Sequence, residues 1–173
     1  MVALNADTVR SNFVVGLRDA HAVEHQALAL IDRQLDRLKN YDAVAEQLRL
    51  HRGETESQTR RLEEILASLD ESPSSLKDLG LSLTGNLAAL GHTVAGDEIL
   101  KNTFANFAFE NFEAASYRSL IAMAEAGGFG SALDPLKQSL EEELAMAAWI
   151  ETRIPALTLT YLDRASRGEK ADR

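Results

Sequence analysis

The stretch FENFEAASY, residues 109–117, places two glutamates among aromatic residues. Its phenylalanines and its tyrosine are spaced as on one face of a buried helix, and Glu110 and Glu113 lie one turn apart within it. Ionised carboxylates are stable in a protein core only when something compensates their charge. The stretch therefore predicts a core helix that carries a functional acidic site.

The same helical spacing continues through most of the chain. Apolar residues recur every three or four positions, and prolines are found only at positions 73, 135 and 155. The pattern predicts four long helices, over residues 7–39, 42–69, 97–126 and 134–163. Asp7 or Thr8 is expected to cap the first helix, and Pro155 is expected to bend or break the last one.

The long connection between the second and third helices sets the fold class. Ser72 and Pro73 are expected to begin a short helix that ends near Gly91. A connection of this length can carry the chain from one helical hairpin to the far end of the other. The prediction is an all-α four-helix bundle with one long crossover that contains a short extra helix. Residues 1–166 would form this single domain, and the polar tail 167–173 is expected to fray.

Composition and charge exclude several classes of protein. The 173 residues suit one domain, and the lack of cysteine excludes disulfides, thiolate metal sites and thiol catalysis. A reducing compartment fits this composition, so we expect a cytoplasmic protein. The net charge of −9 disfavours nucleic acids and anionic lipids as partners. The chain shows neither a signal peptide nor a long uncharged apolar run, so we expect no membrane partner.

An overlay of the two predicted hairpins, offset by 89 residues, aligns acidic residues. Glu24 falls on Glu113 and Glu54 falls on Glu143. Within each hairpin the two glutamates are thirty residues apart, which brings them to a similar depth in an antiparallel pair. Four converging carboxylates repel one another and raise each other's pKa values unless a cation compensates their charge. The pattern predicts a metal site, and oxygen ligands favour iron or manganese.

The ligand set departs from the usual di-iron pattern, because the chain contains no Glu-x-x-His motif. Substitutes are nearby, since His51 lies one turn before Glu54, and Glu110 lies one turn before Glu113. Gln58, one turn after Glu54, could bind the metal or donate a hydrogen bond to a ligand. We therefore expect a site that is rich in carboxylate and poor in histidine.

Three alternatives stay open on these residues. Either Glu142 or Glu143 could face the site, because they are adjacent in the chain. The glutamates could instead lie at helix edges and pair with Arg18 or Arg118. Tyr117 is either a core residue or a hydrogen-bond donor to a ligand.

Exposure can also be predicted for residues outside the ligand set. His21, His25 and His92 are expected at the surface or at an interface rather than as metal ligands. The phenylalanines at positions 104, 107, 109 and 112 are expected mostly in the core.

The chain resembles the YciE/YciF-like stress proteins, a branch of the ferritin-like superfamily, over about residues 10–163. The resemblance rests on four motifs: AVEHQ at 22–26, like DAEKQ of the family; HRGETESQ at 51–58, like HLEETxxQ; ENFEAASY at 110–117, like EHFExASY; and LEEE at 140–143, like LEEEK. The third motif is distinctive for a helical bundle.

The resemblance implies a ferritin-like bundle with an additional short helix, often dimeric, with a di-metal centre and no assigned reaction. The ligands that it implies are Glu24, Glu54, Glu113 and Glu142 or Glu143, with Glu110 and His51 in support. The chain departs from the family pattern at Ala22 and Asn111, where the family has an acid and a histidine. These departures leave fewer ligands for a second metal ion.

We therefore expect a ferritin-like protein that binds one or two iron ions, or manganese, through carboxylates in the bundle core. Its chemistry would act on O₂ or peroxide under stress. The alternative is a non-catalytic structural or interaction protein of the stress response, with a vacant or degenerate metal site. In either case we expect a homodimer whose partners include neither nucleic acid nor membrane.

Overall fold

The computed structural model describes residues 4–73 and 97–172, and these residues form four long α-helices and no strand. The helices are α1 (Ala6–Arg37), α2 (Asp42–Ser68), α3 (Glu98–Gly127) and α4 (Gly130–Ser166). The prediction of an all-α four-helix bundle is confirmed. The short helix expected between Pro73 and Gly91, and His92, lie outside the described residues.

Two helix starts differ from the prediction. The cap of α1 is Asn5, whose side-chain oxygen accepts a hydrogen bond of 2.9 Å from the backbone N–H of Thr8. This bond satisfies an otherwise unpaired N–H of the first turn, so the prediction of Asp7 or Thr8 as the cap is wrong, while the start at Ala6 is one residue from the predicted Asp7. Helix α4 begins at Gly130, because Gly128 adopts a left-handed conformation with φ of 73° that ends α3 and reverses the chain.

Neither proline of α4 interrupts the helix. Pro135 lies in its second turn, where the missing N–H removes one hydrogen bond. Helix α4 continues past Pro155 to Ser166, so a break there is wrong. Leu157 is buried in a cluster with Tyr41 from the turn between α1 and α2, and this packing holds the last turns of α4 in place.

The helices pack as two hairpins, with α1 against α2 and α3, and α4 against α2 and α3. The core has two main apolar clusters. One contains Phe13, Val14, Leu17, Ala20, Leu62, Ile65, Leu66, Tyr117, Leu120, Ala124, Ala132 and Leu136. The other contains Ile31, Leu48, Met146 and Ile150. Between these two clusters the bundle interior is polar. We call this region the polar layer, and it contains the candidate site; its buried residues are Glu24, His51, Gln58, Glu110, Glu113 and Glu143.

The described part of the tail, residues 167–172, is docked on the bundle rather than frayed. The carbonyl of Asp172 accepts a 2.9 Å hydrogen bond from the N–H of Ile99 at the start of α3. The carbonyl of Ala171 accepts a 2.5 Å bond from the hydroxyl of Tyr41. The tail thus satisfies a backbone donor of α3 that has no partner within its own helix.

The aromatic residues of α3 are less buried than predicted. Phe109 is buried and Phe107 is half-buried, whereas Phe104 and Phe112 are 50% and 45% exposed. The prediction of a core position is therefore wrong for Phe104 and Phe112. None of the described helices has a stretch long and apolar enough to cross a membrane.

Candidate metal centre

The polar layer brings a histidine and two glutamates from three helices together. His51 of α2, Glu110 of α3 and Glu143 of α4 each place one potential ligand atom within 4.8 Å of the others. His51 Nε2 lies 3.0 Å from Glu110 Oε2 and 3.9 Å from Glu143 Oε2. All three side chains are buried, so the group is shielded from bulk water.

The helical repeat explains why these residues face inward. Glu24 lies seven residues from both Leu17 and Ile31, and all three residues are buried. Glu143 has the same relation to Leu136 and Ile150 of α4. Positions seven apart share one face of a helix, so each glutamate occupies a core position between two apolar layers.

Glu24 and Glu113, the pair aligned by the overlay, both lie in this layer and are 1% and 2% exposed. The hydroxyl of Tyr117 donates a 2.5 Å hydrogen bond to Glu24 Oε1, and its ring is buried in the core, so Tyr117 has both of the roles that were considered as alternatives. Neither oxygen of Glu113 meets a hydrogen-bond donor in the described structure. Glu113 is therefore the acid with the most unsatisfied acceptors.

Gln58 of α2 holds Glu143, the buried glutamate of α4, through a hydrogen bond. Its amide nitrogen donates a 2.5 Å hydrogen bond to Glu143 Oε1, as one of the two predicted roles of Gln58 requires. Glu143 Oε2, Glu24 Oε2 and Gln58 Oε1 are buried without a donor from the described residues. Buried acceptors without partners are destabilising, and one cation among them would satisfy several at once. The donor set thus fits a metal ion.

Burial and mutual repulsion favour the protonated form of three buried carboxyls, those of Glu24, Glu113 and Glu143. Burial raises the pKa of Glu24 to about 8, despite the opposing hydrogen bond from Tyr117. Burial and the neighbouring carboxylates raise the pKa values of Glu113 and Glu143 well above the usual range. After burial, the charge of Glu143 is the largest cause of the raised pKa of Glu113.

His51 is held in its charged form by its carboxylate neighbours. Burial alone would lower its pKa, but contacts with Glu110 and Glu54 outweigh burial and raise the pKa well above the usual value. His51 Nδ1 lies 3.0 Å from Glu54 Oε2, so Glu54 fixes the orientation of the ring. A metal that binds Nε2 must therefore displace a proton from this imidazolium.

Two of the expected ligands lie at the edge of the layer. Glu142 forms two 2.7 Å hydrogen bonds with Arg61, and Glu143 is the one of this adjacent pair that faces inward. The side chain of Glu54 is 43% exposed and contacts His51 from the outside. The overlay placed Glu54 at the depth of Glu143, but His51, one turn earlier, contributes the inward group of α2.

Within residues 4–73 and 97–172, neither Arg18 nor Arg118 forms an ion pair with Glu24 or Glu113. Arg18 donates to Glu71 and to the carbonyl of Ser72, so it does not neutralise Glu24.

Among the histidines outside the polar layer, His21 is buried, and its Nε2 lies 3.1 Å from an oxygen of Glu63. A surface position for His21 is therefore wrong.

Known proteins resemble this chain in sequence and in fold. Protein YciF of Escherichia coli is 27% identical over 153 residues, which cover 82% of this chain and 87% of YciF. A crystal structure of a protein from Xanthomonas campestris superposes with a TM-score of 0.76 at 24% identity, covering 91% of this chain and 99% of that one.

The ferritin-like fold is shown by a more distant structure. The bacterioferritin of Desulfovibrio desulfuricans, a protein described as having a diiron site, superposes on this chain with a TM-score of 0.72 at 17% identity. That superposition covers 90% of this chain and 85% of the bacterioferritin. The sequence profile of one family matches residues 8–163, nearly the whole chain. The chain belongs to this family, which is described as a domain of unknown function, DUF892.

Proposed function

We propose that this chain is a metal-binding protein that holds one or two iron or manganese ions in the polar layer. The ligands would be Glu24, Glu110, Glu113, Glu143 and His51. The observation that carries this proposal is the set of buried carboxylate oxygens without donors around a single imidazole. A buried acidic group of this kind needs compensation by a cation or by protons.

The composition of the ligand set argues for the class of metal. Four carboxylates and one imidazole form an oxygen-rich set with one borderline nitrogen, which suits iron and manganese better than ions that prefer sulfur. The bacterioferritin with the same fold is described with a diiron site, which supports the choice of iron. Bound iron or manganese would supply one-electron chemistry toward O₂ or peroxide, consistent with a role under stress.

The protein's own groups would position the ligands and manage their protons. Tyr117 orients Glu24, Gln58 orients Glu143 and Glu54 orients His51, so three candidate ligands are held by neighbouring side chains. The apolar clusters on both sides exclude water and strengthen the attraction between carboxylates and a cation. Binding must release the protons that the carboxyls and the imidazole hold in the metal-free protein.

Metal analysis of the purified protein tests the proposal directly. Protein purified without chelator and loaded with Fe(II) or Mn(II) should contain bound metal and should melt at a higher temperature than the chelated protein. Glu113→Gln should abolish both effects, because it removes the acid with two free oxygens. Glu46→Gln, a change of an exposed acid on α2, is the matched control. Equal metal content in wild type, Glu113→Gln and Glu24→Gln would contradict the proposal.

One observation favours the competing function, a non-catalytic structural or interaction protein. The charge of His51 already compensates the adjacent carboxylate of Glu110 at 3.0 Å, and protonated Glu113 and Glu143 can satisfy each other. In that case neither iron nor manganese should raise the melting temperature, and Glu113→Gln should stabilise the chain under all metal conditions. The same melting experiment therefore separates the two functions.

We also propose that the chain acts as a cytoplasmic homodimer. Phe104 and Phe112 of α3 are exposed, and Phe112 and Val15 line an open groove between α1 and α3. Exposed aromatic groups beside a groove are typical of protein interfaces. Light scattering after size exclusion should give the mass of a dimer, and Phe112→Ser should shift it toward the monomer. A monomeric wild type would contradict this proposal.

A further inference from the structure

A second group of potential ligands lies between α1 and α2, outside the polar layer. His21 and His25 of α1 and Glu63 of α2 each offer one ligand atom, and these atoms lie within 4.8 Å of one another. Glu63 is twelve residues from His51, which corresponds to about 18 Å along α2. None of the three residues takes part in the site described above.

The helix geometry brings the two imidazoles together. Residues four apart lie on the same face of a helix, so His21 and His25 project in the same direction from α1. Their ring centroids are 4.6 Å apart, and the rings meet edge to face. Glu63 approaches from the neighbouring helix, with an oxygen 3.1 Å from His21 Nε2.

The carboxylate of Glu63 is not neutralised by a basic side chain. Within the described residues its ion pair is with His21, and no lysine or arginine is paired with it. Its side chain is 49% exposed and His25 is half-buried, whereas the side chain of His21 is only 8% exposed. The group therefore has one ordered ligand inside the bundle and two ligands that can adjust at the surface.

Two imidazoles and one carboxylate suit a borderline divalent cation. Zinc takes such sets with metal–ligand distances of about 2.0–2.2 Å, which place the ligand atoms about 3.3 Å apart in a tetrahedron. His21 and Glu63 already meet this separation, and the other pairs need an approach of about 1.5 Å at most. The exposed side of the group leaves room for water as a fourth ligand.

We propose that His21, His25 and Glu63 form a zinc site that links α1 to α2. It is separate from the proposed iron or manganese centre and differs from it in ligand class, since two of its three ligands are imidazoles. Because the ligands come from both helices of the first hairpin, bound zinc would hold these helices together in the folded state and raise stability.

Calorimetric titration with ZnCl₂ tests the site in the 173-residue chain after chelation and dialysis. Zinc should bind the wild type, and His25→Gln and Glu63→Gln should each weaken this binding at least about tenfold, the loss typical for a perturbed metal site. Both residues are partly exposed, so these variants are expected to fold, and circular dichroism would verify this. Glu64→Gln, which changes the exposed neighbour of Glu63, should bind zinc like the wild type.

A second comparison separates this site from the polar layer. Glu113→Gln should retain the zinc affinity of the wild type, while His25→Gln should retain the wild-type content of iron or manganese. The proposal is overturned if the wild type does not bind zinc, or if zinc binding survives in His25→Gln and Glu63→Gln. Loss of zinc binding in Glu113→Gln alone would also overturn it, because the ion would then occupy the polar layer.

Discussion

The metal-free protein should lose stability as pH rises through neutrality, and Glu24→Gln should remove much of this loss. Glu24 is 1% exposed, and burial raises its pKa to about 8 in the folded chain. In the unfolded chain the carboxyl has its ordinary pKa of 4.5. Because the folded state holds the proton more tightly, the contribution of Glu24 is fully present below the unfolded pKa. It is lost as pH rises toward 8.

The size of the effect follows from the two pKa values. One pH unit corresponds to about 1.4 kcal/mol, so a rise from 4.5 to about 8 corresponds to roughly 5 kcal/mol over the whole range. Between about pH 5 and about pH 7.5 the loss due to Glu24 is about 3 kcal/mol. The raised pKa values of Glu113, Glu143 and His51 change stability in the same direction.

Glu24→Gln retains an oxygen that can accept the hydrogen bond from Tyr117 but carries no titrating proton. At about pH 5 the variant and the wild type should have similar free energies of unfolding. At about pH 7.5 the variant should be more stable, by up to about 3 kcal/mol. Glu46→Gln, which changes an exposed acid, should leave the pH dependence unaltered.

Urea denaturation followed by circular dichroism, in the presence of chelator, gives the free energy of unfolding at each pH. The reasoning is refuted if wild-type stability is constant or rises between these pH values. It is also refuted if the difference between Glu24→Gln and the wild type does not grow with pH.

Three further changes test separate parts of the structure. Tyr117→Phe removes the hydroxyl bonded to Glu24 and should weaken Mn(II) binding about tenfold in a titration; an unchanged affinity would contradict this role. Arg61→Ala leaves the partly buried carboxylate of Glu142 without its cation and should cost about 1–2 kcal/mol of stability in urea, with partial recovery in Arg61→Lys. Gly128→Ala should cost about 1–2 kcal/mol because of its positive φ, whereas Gly130→Ala should be tolerated.

The helices were predictable because apolar spacing reports directly which face of a helix is buried. Helix ends were less predictable, since the cap of α1 depends on one hydrogen bond that the backbone N–H of Thr8 donates to Asn5, and other polar residues nearby are equally good caps. The continuation past Pro155 depends on packing of Leu157 against distant parts of the chain. Local sequence carries no signal for such contacts.

The candidate site was predictable in part for similar reasons. The overlay placed Glu24 and Glu113 in the core, because both positions continue an apolar face. His51 and Glu54 lie one turn apart on α2. The overlay of the two hairpins aligns residues in sequence, so it does not predict which of these two side chains points into the bundle. Glu143 continues the buried face of Leu136 and Ile150, and the long-range pair with Arg61 holds the adjacent Glu142 at the edge of the bundle.

The position of the polar layer between two apolar clusters would also set the kinetics of the proposed metal uptake. Four of the proposed ligands are at most 2% exposed, so an ion in solution has no direct access to them; they are Glu24, His51, Glu113 and Glu143. Glu54 is the acid beside them that reaches solvent, and it is the natural first contact for the ion. Entry beyond Glu54 requires the helices to separate transiently. The rate of metal loading should therefore reach a plateau with increasing metal concentration, at the rate of this opening.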